Sequence, residues 1–282
     1  MEKYKFKVDK PNKLLKFLSV ALQQYSYSTL QQANRNKDIL VNGKREKSNV
    51  CLQKGDVVEI YLNQTKKLNK YEVYYQDDNI IVFNKRRGIE VCDGEFNILT
   101  DYQNINLKIY AIHRLDRNTS GLVVFAKSIK VKNELLKIFK AHQVKKYYYA
   151  IVKRREIEAE GTFSDFLQKD AKNSIVKIYN KKINGASPIQ TQYKVLKNND
   201  KLSLVEVVIS SGKTHQIRAQ LAYHGMPILG DEKYGDAKFN KHLKENKQLL
   251  QAYKIEFLVN ENSFLKYLNN LKLELDCEFK VF

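Results

Sequence analysis

Residues 113–125 read His-Arg-Leu-Asp-Arg-Asn-Thr-Ser-Gly-Leu-Val-Val-Phe. The stretch divides at Gly121. Before it stand charged and turn-forming residues, and after it Leu122-Val123-Val124-Phe125 is an uninterrupted apolar run of the length a buried strand needs. Asn-Thr-Ser-Gly is turn chemistry, so Asp116 is expected on a loop beside a rigid sheet. An acid flanked by Arg114 and Arg117 is expected to be held ionised, because neighbouring positive charge favours the carboxylate. A turn aspartate in a surface ion pair reads equally well from this stretch alone.

Further strands surround this one. Ile80-Ile81-Val82-Phe83 is a second buried-strand run, and Tyr147 to Lys153 and Leu202 to Ile209 are longer and partly alternating. Ser128 can cap a helix whose Val131, Leu135 and Ile138 share one face. A later helix is expected from near Thr214 to Gly225, a good C′ residue. Strands outnumber helices and do not alternate with them regularly. That predicts an α+β fold, a largely antiparallel mixed-sheet domain, rather than a doubly wound one.

Residues 1–70 differ from the rest. They hold 15 Lys and Arg against 6 Asp and Glu, a net +9 out of +19 for the whole chain of 282 residues. Leu14, Leu15, Phe17, Leu18 and Leu22 mark a helix, and Ser28-Thr29-Leu30 opens a second. Ile39-Leu40-Val41 then meets Asn42-Gly43, a strong hairpin signal, and Val57 to Tyr61 is a strand. A small α+β domain over 1–63 is expected, joined by a basic linker over 64–71 to a domain over 72–282.

A net charge of this size points to a polyanionic partner, nucleic acid above all. Lysine-rich composition by itself is the plainer account of part of it. Cys51, Cys92 and Cys277 are odd in number and far apart, so neither a disulfide framework nor a zinc spacing can be built from them. The five histidines show no metal-ligand pairing. Residues 1–10 lack the apolar core of a signal peptide, and no apolar run reaches membrane-spanning length. A cytoplasmic, monomeric protein without membrane attachment is expected.

Ser211-Gly212-Lys213-Thr214-His215-Gln216-Ile217-Arg218 is the second polar segment of note. Taken alone, His215 and Arg218 read as the polar face of an amphipathic helix whose Ile217 and Leu221 face the core. Taken together, the two segments resemble the RluA-type family of pseudouridine synthases. "HRLD" followed after two residues by "TSG", then "GKTHQIR" continuing to "MPILGDEKYG", and Lys146, Tyr148 and Ala150 in "KKYYYAIV" carry the likeness. It runs from about Glu72 to Leu258. The segments "ILVNGKREKSN" and "LQKGDVVEIYL" resemble the alpha-L RNA-binding module, although Lys13-Leu14-Leu15 stands where that module usually opens on Arg-Leu-Asp.

The resemblance implies conversion of uridine to pseudouridine in RNA without a cofactor. Asp116 is then the catalytic nucleophile or the carboxylate that stabilises positive charge on the ribose. Arg218 is expected to pair with it through two parallel hydrogen bonds, and Tyr148 to stack on the detached uracil, its hydroxyl able to accept a proton. Arg114 is expected to fill the space left by a flipped base. Lys85, His113, Lys44 and Arg45 are candidate RNA contacts, His113 reading also as a residue that packs the loop. Lys85-Arg86-Arg87-Gly88 replaces the family's Lys-Pro-x-Gly, which predicts a less rigid loop. Gln251 stands where a histidine is frequent. Large-subunit ribosomal RNA is favoured over transfer RNA. The competing readings are a non-catalytic RNA-binding protein of ribosome assembly with the same fold, and a hydrolase using His113 or His215 with Asp116. No Gly-x-Ser-x-Gly or comparable nucleophile setting supports the hydrolase.

Overall fold

The computed structural model describes residues 2–22, 25, 27–62, 71–92, 97–99, 108–170 and 173–280. The chain forms two compact units, Met1–Lys70 and Tyr71–Phe282. The linker expected over 64–71 lies outside the described residues except for Tyr71, which opens a strand of the second unit.

In the first unit, β1 (Glu2–Lys7), α1 (Leu14–Ala21), α2 (Tyr27–Arg35), β2 (Ile39–Val41), β3 (Lys44–Glu46) and β4 (Val57–Leu62) follow in order. The four strands form an antiparallel sheet in the order β1-β4-β2-β3. Every second residue of β4 turns inward, so Val58, Ile60 and Leu62 meet Leu14, Leu18 and Leu30 of the helices in one core. Asn42 (φ 51°) and Gly43 (φ 79°) both take left-handed backbone, which the tight turn between β2 and β3 demands. The Asn42 side chain accepts from Val57 N and donates to Asp56, tying this turn to the next. Lys44 and Arg45 stand exposed on β3, at the edge of the sheet.

The second unit is built on β5 (Tyr71–Gln76), β6 (Ile80–Lys85), β7 (Ser120–Ala126), α3 (Ile129–Lys140), β8 (Val144–Lys153), β9 (Glu160–Asp170), β10 (Ile175–Tyr179), β11 (Ser187–Asn198), β12 (Leu202–Ile209), α4 (Gln216–Tyr223), α5 (Ala237–His242) and β13 (Leu250–Phe257). Its main sheet runs β10-β9-β11-β12-β8-β13-β7-β6-β5. Along this path only β7 and β13 pair in parallel, so the fold is α+β with a largely antiparallel mixed sheet.

All seven residues of β7 are buried because the sheet is covered on both faces there. Val123 and Phe125 point into a core with Phe83, Tyr148, Ile217 and Leu221. Leu122 and Val124 point into another with Val82, Leu135, Ile138 and Phe257. Period-two alternation thus feeds two cores from one apolar run. Helix α3 begins where Ser128 Oγ accepts from Val131 N, as its sequence predicts, and buries Val131, Leu135 and Ile138. No helix among the described residues is long and apolar enough to cross a membrane.

Candidate active site

Asp116 lies on the loop that enters β7, and its backbone carbonyl accepts from Thr119 N at 3.0 Å to close a turn. Two residues later the chain passes Gly121, whose φ is 111°. A Cβ there would stand 2.1 Å from the Ala252 carbonyl oxygen, so only glycine lets β7 lie this close to β13. The loop is therefore held against the sheet at its exit.

The cation facing Asp116 comes from a distant part of the sequence. Arg218 Nη1 donates to Asp116 Oδ2 at 2.8 Å. The two parallel bonds expected between these residues are instead made to Asp231: Arg218 Nε to Oδ2 at 2.7 Å and Nη2 to Oδ1 at 2.9 Å. Nε and Nη2 share one edge of the guanidinium, and Asp231 occupies it; Asp116 meets Nη1 alone. Asp231 also accepts from the backbone N–H groups of Lys233 and Tyr234. Burial works against the charge on Arg218, yet Asp231 and then Asp116 outweigh it and raise the arginine's pKa. Burial likewise opposes the Asp231 charge, and Arg218 with those N–H groups overcomes it, so the carboxyl is held below its ordinary range. Arg117, expected to hold Asp116 ionised, turns its Nε to the Gly88 carbonyl at 3.3 Å. Sequence spacing could not show which arginine faces the carboxylate.

Arg218 is aimed by the start of α4. His215 precedes that helix in left-handed backbone, φ 53° and ψ 18°, an uncommon state for a residue with a Cβ. Its Nδ1 lies 2.9 Å from the Tyr234 hydroxyl and its Nε2 3.9 Å from Asp116 Oδ2. Burial lowers the imidazole pKa despite the opposing pull of Asp116. On the helix, Gln216 accepts from Ser211 Oγ and donates to the Gln190 carbonyl, fixing the loop that carries Gly212 and Lys213.

Tyr148 reaches the same cleft from β8. Tyr147 and Tyr149 turn to the opposite face, where Tyr149 stacks on Tyr253 at 3.7 Å and Tyr147 meets it edge-on at 6.4 Å. Burial first, and the Asp116 charge second, push the Tyr148 phenol well above its ordinary pKa. It therefore stands in the cleft as a neutral phenol. Asp116, Tyr148, Arg218, Arg114 and His215 line one narrow cleft of about 60 Å³.

Two candidate RNA contacts take other roles. Lys85 is fully buried, and its Nζ donates to the carbonyls of Arg86 (3.2 Å), Ile89 (2.8 Å) and Arg117 (3.1 Å). Burial pulls its pKa down to about 7. The assignment of Lys85 to RNA is thus corrected: the ammonium joins the 86–89 loop to the Asp116 loop from inside. It also corrects the expected slackness, since Gly88 N adds a bond to the Arg117 carbonyl at 2.8 Å. His113 accepts from Val124 N at 3.0 Å through Nε2 and stacks on Phe139, and burial pushes its pKa down to about 3. It packs the loop and offers RNA no charge. Gln251 carries the C-terminal segment, donating to the Asp276 carbonyl and accepting from Glu278 N.

Asp231 and Tyr234 escaped the sequence reading as site residues. Their signal was present in "GDEKYG", but nothing in that string says that its acid lies beside an arginine thirteen residues earlier. Among the described residues, no three His, Cys, Asp or Glu side chains gather as metal ligands.

Comparison with known proteins gives the family. The family described as RNA pseudouridylate synthase matches residues 79–223. Ribosomal large subunit pseudouridine synthase C of Vibrio vulnificus (strain CMCP6) is 31% identical over 86% of this chain and 83% of its own. Ribosomal large subunit pseudouridine synthase D of Borreliella burgdorferi is 31% identical over 90% of this chain and 76% of its own. The structure of human RNA pseudouridylate synthase domain containing 4 shares the fold, with a TM-score of 0.59, 23% identity, and coverage of 73% of this chain and 88% of that one. The chain belongs to the RNA pseudouridylate synthase family and is an isomerase.

Proposed function

We propose that the protein converts specific uridines of large-subunit ribosomal RNA to pseudouridine, with Asp116 as the catalytic carboxylate and no cofactor. The observation that carries this reading is the single Arg218 Nη1 bond to Asp116 Oδ2 at 2.8 Å in a cleft walled by Tyr148. Oδ1 accepts no hydrogen bond from the described residues, so one carboxylate oxygen is left to act on substrate. The glycosidic bond must break, the uracil must turn in place, and a carbon–carbon bond must form. A fixed carboxylate serves as nucleophile or as counter-charge to the positive ribose. The Tyr148 ring gives the detached base a face to rest on, and its phenol can donate to a uracil oxygen.

The uridine must leave its stack to reach this cleft, at a cost of a few kcal/mol. Arg114, at the mouth of the cleft, then fills the space that the flipped base leaves. In this reading the first unit is an alpha-L module, and Lys44 and Arg45 on its exposed edge meet phosphates. A non-catalytic assembly protein would gain little from a buried Asp231–Arg218 pair that aims one donor at the half-buried Asp116, since its desolvation costs stability.

Mapping pseudouridines by chemical labelling in total RNA, with and without the gene, tests the substrate. Loss of one or more signals from large-subunit ribosomal RNA is the expected result. Loss confined to transfer RNA would move the substrate, and an unchanged map would overturn the proposal.

A further inference from the structure

The narrow cleft at Asp116 does not end the concave surface of the second unit. At Arg114, Tyr148, Gly212 and Lys213 it opens into a groove of about 680 Å³. That groove passes His142, Pro188, Ser210 and Ser211 at the strand ends and reaches a basin of about 610 Å³ on the opposite face of the sheet, where Val208 and Gln192 share the face of Tyr147. Five Lys or Arg residues line the two, against one carboxylate, Asp165. Asp165 is already occupied, accepting from Gln220 Nε2 at 2.6 Å and lying 2.7 Å from His224 Nε2. Lys146 is engaged as well, donating to the Ser211 carbonyl at 2.6 Å.

Lys140 and Lys145 differ from these. Both are exposed on the rim, Lys140 in the last turn of α3 and Lys145 near the start of β8, and neither forms an ion pair with a described residue. The far basin also holds Phe166, half-buried on β9. Among the described residues no aromatic ring pairs with it, whereas its neighbour Phe163 is stacked between Tyr193 and His224. Lysines outside any ion pair along a groove, Lys145 facing Glu256 across the strands without bonding it, and a ring with no aromatic partner at its end fit a single-strand binding track. The cations follow the backbone, and the ring offers a base a face.

We propose that the groove and basin bind the unpaired strand flanking the target uridine, with Lys140 and Lys145 meeting its phosphates and Phe166 stacking one of its bases. This rests on the reading of the substrate as RNA. It adds the requirement that one flank be single-stranded, because a base held in a helix cannot present its face to Phe166.

The test uses the full chain and two RNAs sharing the target uridine, one with an unpaired flank and one with that flank closed into a duplex. Affinity is measured at several salt concentrations for wild type, Phe166→Leu, and Lys140→Gln with Lys145→Gln. Lys238→Gln with Lys241→Gln on α5, outside the groove, removes the same charge as a control. On the unpaired RNA, Phe166→Leu should weaken binding by about tenfold. The double lysine variant should flatten the plot of log affinity against log salt by about 1.4, from about 0.7 for each phosphate contact. The duplex-flank RNA should bind wild type more weakly, with all variants nearly alike. Equal affinities of the Phe166 and Lys140/Lys145 variants with wild type on both RNAs would overturn the track. So would an equal loss in the Lys238/Lys241 control, or preference for a polyglutamate peptide over RNA. If wild type binds as described yet forms no pseudouridine, the catalytic reading fails and the track stands.

Discussion

The two units place their charges in opposite ways. In the second unit the charges that matter are buried and held: Arg218 between Asp231 and Asp116, Lys85 among three carbonyls, Lys146 on the Ser211 carbonyl. In the first unit they stand in water. Lys3 and Lys5 share Glu59 at the surface, and Lys44 and Arg45 lie exposed on an edge strand. A buried charge is costly unless its partners are fixed, so it serves geometry; an exposed one costs little and serves attraction. Salt should therefore act on contributions from exposed cations, Lys44 and Arg45 in the first unit and Lys140 and Lys145 in the second, and hardly touch the buried network around Arg218.

The largest effect expected from this contrast is at Arg218. Lysine keeps the charge but cannot bond Asp231 along one edge and Asp116 from the other. Arg218→Lys should lower the single-turnover rate by about 10²-fold or more, the scale for losing one aimed donor. Asp231→Asn, which loosens the arginine without touching Asp116, should lower it less while RNA affinity stays within a few-fold. A wild-type rate in folded Arg218→Lys, checked by circular dichroism, would break the contrast at its strongest point.

Next in size is Lys85→Met, which strips three carbonyls of their shared donor and should destabilise the fold by about 2 kcal/mol in thermal or denaturant unfolding. The pH dependence sharpens this. With the folded pKa near 7 and the ordinary value 10.5, the unfolded chain binds more protons at this site between those values. Wild-type stability therefore rises with pH from 7 to 10 on account of Lys85. The methionine variant lacks that rise, so the gap between the two should widen with pH. A constant gap would show that Lys85 titrates at its ordinary value.

The first unit should give smaller and salt-dependent effects. Deleting residues 1–63 should weaken RNA binding by about tenfold at low salt and flatten its salt dependence, while the rate at saturating enzyme changes little. Collapse of the saturated rate would mean that this unit shapes the active site. Lys44→Gln with Arg45→Gln should show a few-fold loss of affinity, with a slope reduced by somewhat under one unit for each contact. Unchanged slopes in both would remove the anchoring role.

The sequence made some of this legible and hid the rest for physical reasons. Local rules sufficed for the Ser128 cap, the Asn42-Gly43 turn and the doubly buried β7, because each depends on neighbours within a few residues. The largely antiparallel sheet followed from irregular alternation of strands and helices. The partner of the Arg218 fork did not follow, since a guanidinium has two usable edges and the chain does not say which acid takes which. Lys85 was misread because lysine is rarely fully buried, and only the closure of two loops over its ammonium makes burial tolerable. The faces of Tyr147, Tyr148 and Tyr149 were legible from strand alternation, although nothing local marked which face held the cleft.

Asp116→Asn tests the central claim most directly, because asparagine keeps the size and shape of the side chain and removes the charge. Pseudouridine formation is to be measured at saturating enzyme in a single turnover on a ribosomal RNA fragment, alongside affinity for the same RNA. Abolished pseudouridine formation with affinity within a few-fold of wild type is the expected result. Measurable turnover by the purified variant, free of wild-type enzyme, would contradict the assignment of Asp116.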